Sequence, residues 1–198
     1  MARPRMFDED RALDGALRLF WENGYEATST QELCEATGLG RSSIYNTFSS
    51  KHALFVRALA RYLDAMADRQ ARLLDDPARP VGARLRDLLA SVVDTEEANR
   101  REGRGIGCFG VNSSAELAGR DPEVGALLRR DLERRHADLS GALAAGQRAG
   151  EVSRAREAAA YASYLNAVIA GMRVSAQNGA DRATLEAVAE AALDALAP

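Results

Sequence analysis

Residues 28–48, TSTQELCEATGLGRSSIYNTF, hold two short helical patterns joined by a glycine-bearing turn. Thr28 and Ser29 supply a helix start, and Ser29 with Glu32 fits a capping box, in which each side chain accepts the other residue's backbone N–H. Leu33 faces the core, and the small Cys34 suits a close helix crossing. Gly38 sits where the turn calls for a left-handed backbone, which glycine enters without penalty. Leu39 plugs the corner. Ile44 and Phe48, four apart on one face, hold the second helix to its support. That leaves Arg41, Ser42, Ser43, Tyr45, Asn46 and Thr47 to face outward or sideways. The pattern fits a helix-turn-helix, whose second helix enters the major groove of double-stranded DNA.

Upstream, Met1 to Phe7 (MARPRMF) reads either as a frayed terminus or as an arm carrying Arg3 and Arg5 to a DNA backbone or minor groove. Asp8, Glu9 and Asp10 suit the positive end of a helix dipole, which places a helix start there. Leu13, Ala16, Leu17, Phe20 and Trp21 recur at helical spacing up to Gly24, the expected left-handed stop. Downstream, Ser49 and Ser50 offer a cap, with Lys51 in the first turn of the next helix. A cation there opposes the dipole unless an anion is near, so beside a helix-turn-helix a phosphate clamp is favoured over a solvated lysine. Leu54, Phe55, Ala58, Leu59, Tyr62 and Met66 carry this helix to about Leu74.

Composition narrows the class. The chain has 198 residues, 46% hydrophobic and 28% charged, with a net charge of −3. A sizeable core can form. No apolar run reaches membrane-spanning length and no signal-peptide pattern opens the chain, so a cytoplasmic protein is expected. Two cysteines without a pairing pattern fit a reducing compartment. The charge is not that of a polycation, so DNA binding must rest on where the cations stand.

Beyond Leu74, Pro77, Pro80 and Gly82 mark a break, and Leu85, Leu88, Leu89 and Val92 begin another amphipathic helix. Asn99 to Gly107 (NRREGRGIG) reads as a charged loop. Its Gly105, Gly107 and Gly110 match a dinucleotide fingerprint, but no strand precedes them, and the match is rejected. Cys108 to Leu117 reads as a short helix that stops by Pro122. Glu123 to Gln147 follows with Val124, Leu127, Leu128, Leu132, Leu139 and Leu143, then Arg154 to Gln177, and a last helix through Leu185, Val188, Ala192, Leu193 and Leu196. No strand pattern or repeat appears. The two distant histidines offer no metal site and no cofactor motif survives. Without a nucleophile–base constellation, an enzyme is not expected.

Between Ala158 and Met172 the sequence AAAYASYLNAVIAGM is apolar nearly all round and asks for burial on several sides. A central helix of a monomeric bundle satisfies this, and so does a two-fold homodimer. Polar groups among these apolar helices are candidate linings of a small-molecule pocket: Asn112, Ser113, Glu116, His136, Tyr161, Tyr164 and Asn166.

Gly24, Tyr25, Thr28, Leu33, Gly38, Leu39, Ile44, Tyr45, Phe48, Lys51 and Leu54 together make residues 24–54 resemble the DNA-binding domain of the TetR family of bacterial transcriptional repressors. Thr30, Gly40, His52 and Ala53 depart from that pattern without disturbing its core. The resemblance implies an all-α protein of about nine helices. A three-helix N-terminal domain with the helix-turn-helix would span 1–50, and a C-terminal effector-binding and dimerisation domain 51–198. It implies that Thr28, Tyr45 and Lys51 touch phosphates and that Arg41 to Thr47 face the major groove. By chemistry alone, Arg41 suits guanine, Asn46 suits adenine, and Ser42, Ser43 and Thr47 suit either edge. The last two helices would pair in a homodimer, and an effector of unknown identity would release a pseudo-palindromic operator.

Cys108, after Gly107 and near Arg101 and Arg104, is either a small buried hydrophobe or a thiol lowered by its positive surroundings. Its Gly-Cys-apolar context resembles the electrophile- and oxidant-responsive branch of the same family. A second alternative is an all-helical interaction protein that binds no DNA; it leaves Arg41, Tyr45 and Lys51 unexplained.

Overall fold

Every apolar periodicity in the chain resolves as helix. The computed structural model describes residues 3–101 and 107–198, with side chains from Glu9 onward. Among the described residues there are nine helices and no strand: α1 (Arg3–Asn23), α2 (Thr30–Thr37), α3 (Arg41–Phe48), α4 (Lys51–Leu74), α5 (Val81–Arg101), α6 (Phe109–Leu117), α7 (Pro122–Ala149), α8 (Ala158–Gln177) and α9 (Arg182–Asp194). None is long and apolar enough to cross a membrane. Two compact units are present, one formed by 1–64 with 108–128 and the other by 65–107 with 129–198. The boundary between them falls inside α4, after Asp64, and not at the α3–α4 joint near residue 50, and α6 groups with the N-terminal helices.

The first unit holds α1 to α3, the start of α4, α6 and the start of α7. Leu13, Phe20, Leu33, Ile44, Phe48, Leu54, Phe55 and Phe109 are buried here. Phe55 stands edge-on to Phe20 at 5.1 Å and to Phe109 at 5.7 Å, a favourable arrangement for aromatic quadrupoles. Gly15 lets α1 approach α2 closely: a Cβ there would lie 2.3 Å from the Ala36 carbonyl oxygen. The N-terminus corrects the sequence reading. The helix starts at Arg3, not at Asp8, so Arg3 to Phe7 form a first turn and no separate arm. Pro4 accounts for the difference, since its fixed φ and missing N–H suit that turn. Glu9 and Asp10 instead pair with Arg57 at 2.5 Å and Arg61 at 2.8 Å on α4.

The second unit is one apolar cluster, with Leu85, Leu89, Leu139, Leu143, Leu165, Ile169, Met172 and Leu185 at its centre. At its surface Arg182 joins Asp94, Glu97 and Glu186, and these carboxylates raise the guanidinium pKa further. Asn99 to Arg101 belong to α5, not to a loop; residues 102–106, with Arg104 and Gly105, lie outside the described residues. The helix expected from Arg154 begins at Ala158, after a turn held by Gln147, whose amide donates to Ser153 O and Arg156 O at 2.8 Å each. Leu132 and Val188, read as core positions, are 47% and 38% exposed. Periodicity marks the apolar positions of a helix but not whether this chain covers them.

Candidate nucleic-acid interface

The α2 helix starts with the expected box. Ser29 Oγ accepts Glu32 N–H at 3.2 Å, and Glu32 Oε2 accepts Ser29 N–H at 2.7 Å. The Ser29 backbone donor is the main reason that the Glu32 carboxyl titrates below its usual range. Gly38 has φ +69°, turning the chain by the left-handed route. Gly40 then caps α3 without a side chain.

On α3, Ile44 and Phe48 are 1% and 2% exposed. Arg41, Ser42, Ser43, Tyr45 and Asn46 are exposed, and Thr47 is half-buried. The buried pair seats the helix while the remaining residues project a row of hydrogen-bonding groups. Tyr45 is anchored to α2: hydrogen bonds with Thr30 and then Arg41 stabilise its phenolate and lower its pKa. The Arg41 guanidinium also lies 5.9 Å from the Tyr45 ring centroid. Thr30, a departure from the family pattern, thus has a polar partner.

Thr28 does not join this surface. It is 1% exposed, and its hydroxyl donates to Gly24 O at 2.6 Å, closing the turn between α1 and α2. Its side chain is engaged in the fold.

The joint from α3 to α4 is tight. Ser50 N–H donates to Phe48 O at 2.8 Å across Ser49, whose φ is +69° and ψ is −41°. This is the rare, strained form of γ-turn. Ser50 Oγ accepts Ala53 N–H at 2.9 Å and caps α4. Lys51 opens α4, its ammonium 4.5 Å from the Tyr25 ring centroid. Next to it, His52 Nε2 meets Asp121 Oδ2 at 2.6 Å. Asp121 caps α7 by accepting Val124 N–H, the main cause of its lowered pKa, and His52 adds to the effect.

The residues read as pocket linings fall in both units. Cys108, Asn112 and Glu116 belong to the first unit; His136, Tyr161, Tyr164 and Asn166 belong to the second. Cys108 is 7% exposed at the N-cap of α6, with Sγ 3.2 Å from Tyr62 Oη. Asn112 is half-buried, and Ser113 is buried with its hydroxyl unpaired. Glu116 is engaged in the turn after α1, where its two oxygens accept Tyr25 N–H at 3.1 Å and Glu26 N–H at 2.9 Å. His136 contacts Ala159 O at 3.0 Å and Ser163 Oγ at 3.2 Å. Tyr161 is buried, whereas Tyr164 is 40% exposed and faces away from the core. Asn166 is buried with both amide atoms unpaired.

Sequence reasoning missed Glu96. It continues the α5 stripe of Leu85, Leu89, Val92 and Val93, is 5% exposed, and has an unpaired Oε1. Burial pushes its pKa up, opposed by Arg173 and Asn99. A carboxylate on an apolar stripe was the legible signal. His52 was also passed over, since its partner lies 69 residues away.

Two family models match the chain: bacterial regulatory proteins of the tetR family over residues 12–58, and the tetracyclin repressor-like C-terminal domain over residues 82–192. The HTH-type transcriptional repressor ComR of Escherichia coli (strain K12) is 33% identical over 187 residues, 94% of this chain and 88% of that protein. The reduced form of E. coli NemR has a similar fold, with a TM-score of 0.84, 23% identity, and coverage of 96% of this chain and 97% of that one. A cysteine mutant of the TetR family regulator CifR, complexed with 26 bp operator DNA, superposes with a TM-score of 0.81 at 26% identity, covering 94% and 95% of the two chains. The matches span both the helix-turn-helix and the helices behind it, so the chain belongs to the TetR family of bacterial transcriptional regulators.

Proposed function

We propose that the protein is a repressor that grips a pseudo-palindromic operator as a homodimer and lets go when a small effector enters its second unit. The observation that carries this reading is the row Arg41, Ser42, Ser43, Tyr45 and Asn46, exposed on a helix seated by Ile44 and Phe48, with Lys51 one turn beyond. In the major groove these side chains read bases, while Tyr45 and Lys51 hold phosphates and set the register. The repressor names of ComR and the operator complex of CifR support the same reading.

The dimer reading rests on uncovered apolar surface. Along α8, Ala160, Ser163, Tyr164, Ala167, Gly171 and Val174 are exposed at helical spacing. Along α9, Thr184, Ala187, Val188, Ala191 and Ala195 repeat the pattern. Small residues let two helix pairs approach closely, and a second copy covers both stripes. Such a dimer sets two α3 helices one DNA turn apart, roughly 34–36 Å. For the effector, the unpaired polar atoms of Glu96 and Asn166, beside the apolar cluster of the second unit, are polar groups a ligand would satisfy. Release follows if the effector prefers the conformation whose reading helices miss the half-sites.

Mobility-shift titrations over a range of salt, using DNA from the region upstream of the coding sequence, test the reading. Lys51→Ala should weaken binding to all sequences and reduce the slope of log K against log salt by roughly 0.9, the share of one phosphate. Ser43→Ala should change sequence preference and leave the slope intact. Equal loss of slope in both variants contradicts the division of labour.

A further inference from the structure

The turn between α1 and α2 is held by a residue far away in the sequence. Gly24 ends α1 with φ +80°, and Tyr25 and Glu26 present their backbone N–H groups to Glu116 of α6, 91 and 90 residues away in sequence. A carboxylate is the one common side chain that can accept two adjacent N–H donors through equivalent oxygens. The fit is close: a Cβ on Gly24 would lie 3.0 Å from Glu116 Oε2.

What the carboxylate fixes is more than a loop. The Tyr25 ring packs against Phe55 at 5.0 Å and carries the Lys51 ammonium over its face at 4.5 Å. Cation–π attraction constrains a lysine head that would otherwise sample many rotamers. At the same turn, Gly24 O accepts the Thr28 hydroxyl just before the α2 cap. Phe109 at the start of α6 stacks edge-on to Phe55, so α6 is packed against the same aromatic group.

We propose that Glu116 is a positioning residue for DNA binding: by accepting the Tyr25 and Glu26 N–H groups it fixes the Tyr25 ring, which holds the Lys51 ammonium in place to meet a phosphate. This rests on the assignment of Lys51 as a phosphate contact. It gives α6 a direct grip on the turn before the helix-turn-helix through one carboxylate. Glutamine at 116 keeps the shape but turns an NH₂ toward one of the two donors, which breaks half of the grip.

A double-mutant cycle on operator affinity tests it, with thermal melting of each variant as the folding control. Glu116→Gln should weaken operator binding roughly tenfold, the scale of one lost charge-assisted hydrogen bond, and lower the salt slope toward that of Lys51→Ala. In the Lys51→Ala background the same change should cost less than about twofold, because the group it positions is gone. Tyr25→Leu, which retains the backbone donors and removes the ring, should reproduce the loss even if Glu116→Gln folds poorly. Native-like binding by folded Glu116→Gln, or full additivity in the cycle, overturns the proposal while leaving Lys51 as a phosphate contact. Native-like binding and slope in Lys51→Ala would instead remove the phosphate contact itself.

Discussion

A methyl group at Gly15 would stand 2.3 Å from the Ala36 carbonyl oxygen and 3.0 Å from its carbon. The obstacle is backbone in α2, which cannot rotate away as a side chain would. Gly15→Ala should therefore destabilise the fold by about 1–3 kcal/mol, the usual range for overpacking, despite the better helix propensity of alanine. Urea titration followed by circular dichroism measures it; a variant as stable as native would mean that α1 and α2 separate at little cost. Gly15 was not legible in the sequence, since a glycine inside a helical pattern signals a close neighbour without naming it. Gly38 was legible, because a glycine between two capped patterns has few other uses. The partners of Thr28 and Glu116 were not legible for one reason: their polar atoms are spent on backbone groups, Gly24 O in one case and Tyr25 and Glu26 N–H in the other. A sequence shows which side chains can bond, and only the fold shows which are already bonded.

Three helices have an acidic side chain that accepts a backbone N–H at the N-terminus. Glu32 at α2, Asp121 at α7 and Asp181 at α9 all titrate below their ordinary values of 4.5, 3.8 and 3.8, held by the N–H of Ser29, the N–H of Val124 and bonds from Thr184 respectively. The folded form therefore binds fewer protons than the unfolded chain across this range. Their contribution is complete above the ordinary carboxylate range and is lost as pH falls through the lower native values. The melting temperature should drop as the solution is acidified below about pH 4. Asp181→Ser retains an acceptor without the charge and should flatten the acid limb; an unchanged limb would assign the acid sensitivity elsewhere. Glu96 runs the other way: burial raises its pKa, so the carboxyl favours folding when protonated and opposes it as pH rises toward neutral. The capping box of α2 could be read directly from Ser29 and Glu32, three residues apart. The start of α1 could not, because Asp8 to Asp10 imitate a first turn while Pro4 provides the actual one.

For the molecule as a whole, the exposed stripes on α8 and α9 decide what can assemble. Ala167→Asp with Val188→Asp places like charge on both stripes, which cannot form an ion pair with each other, without touching the buried side of either helix. Light scattering should report half the native mass, and operator affinity should fall on the order of 10²-fold as the two half-sites lose their linkage. A variant of native mass would refute dimerisation through these faces. The all-helical class and the helix-turn-helix were plain from periodicity and punctuation. The two compact units were not, because Cys108–Leu128 joins helices far earlier in the chain, with contacts spanning 46 residues to Tyr62 and 91 to Tyr25, and no local pattern records that return.

The compressed joint at Ser49 has a consequence for anyone retargeting this regulator. With one residue in a positive-φ turn and Ser50 already capping the next helix, no slack exists between the reader and its mount. The base-reading letters of α3 are thus interchangeable like type in a fixed frame: new side chains at 41–43 and 46 inherit the old angle of presentation. Lengthening the frame by a single amino acid would rotate every letter off its line.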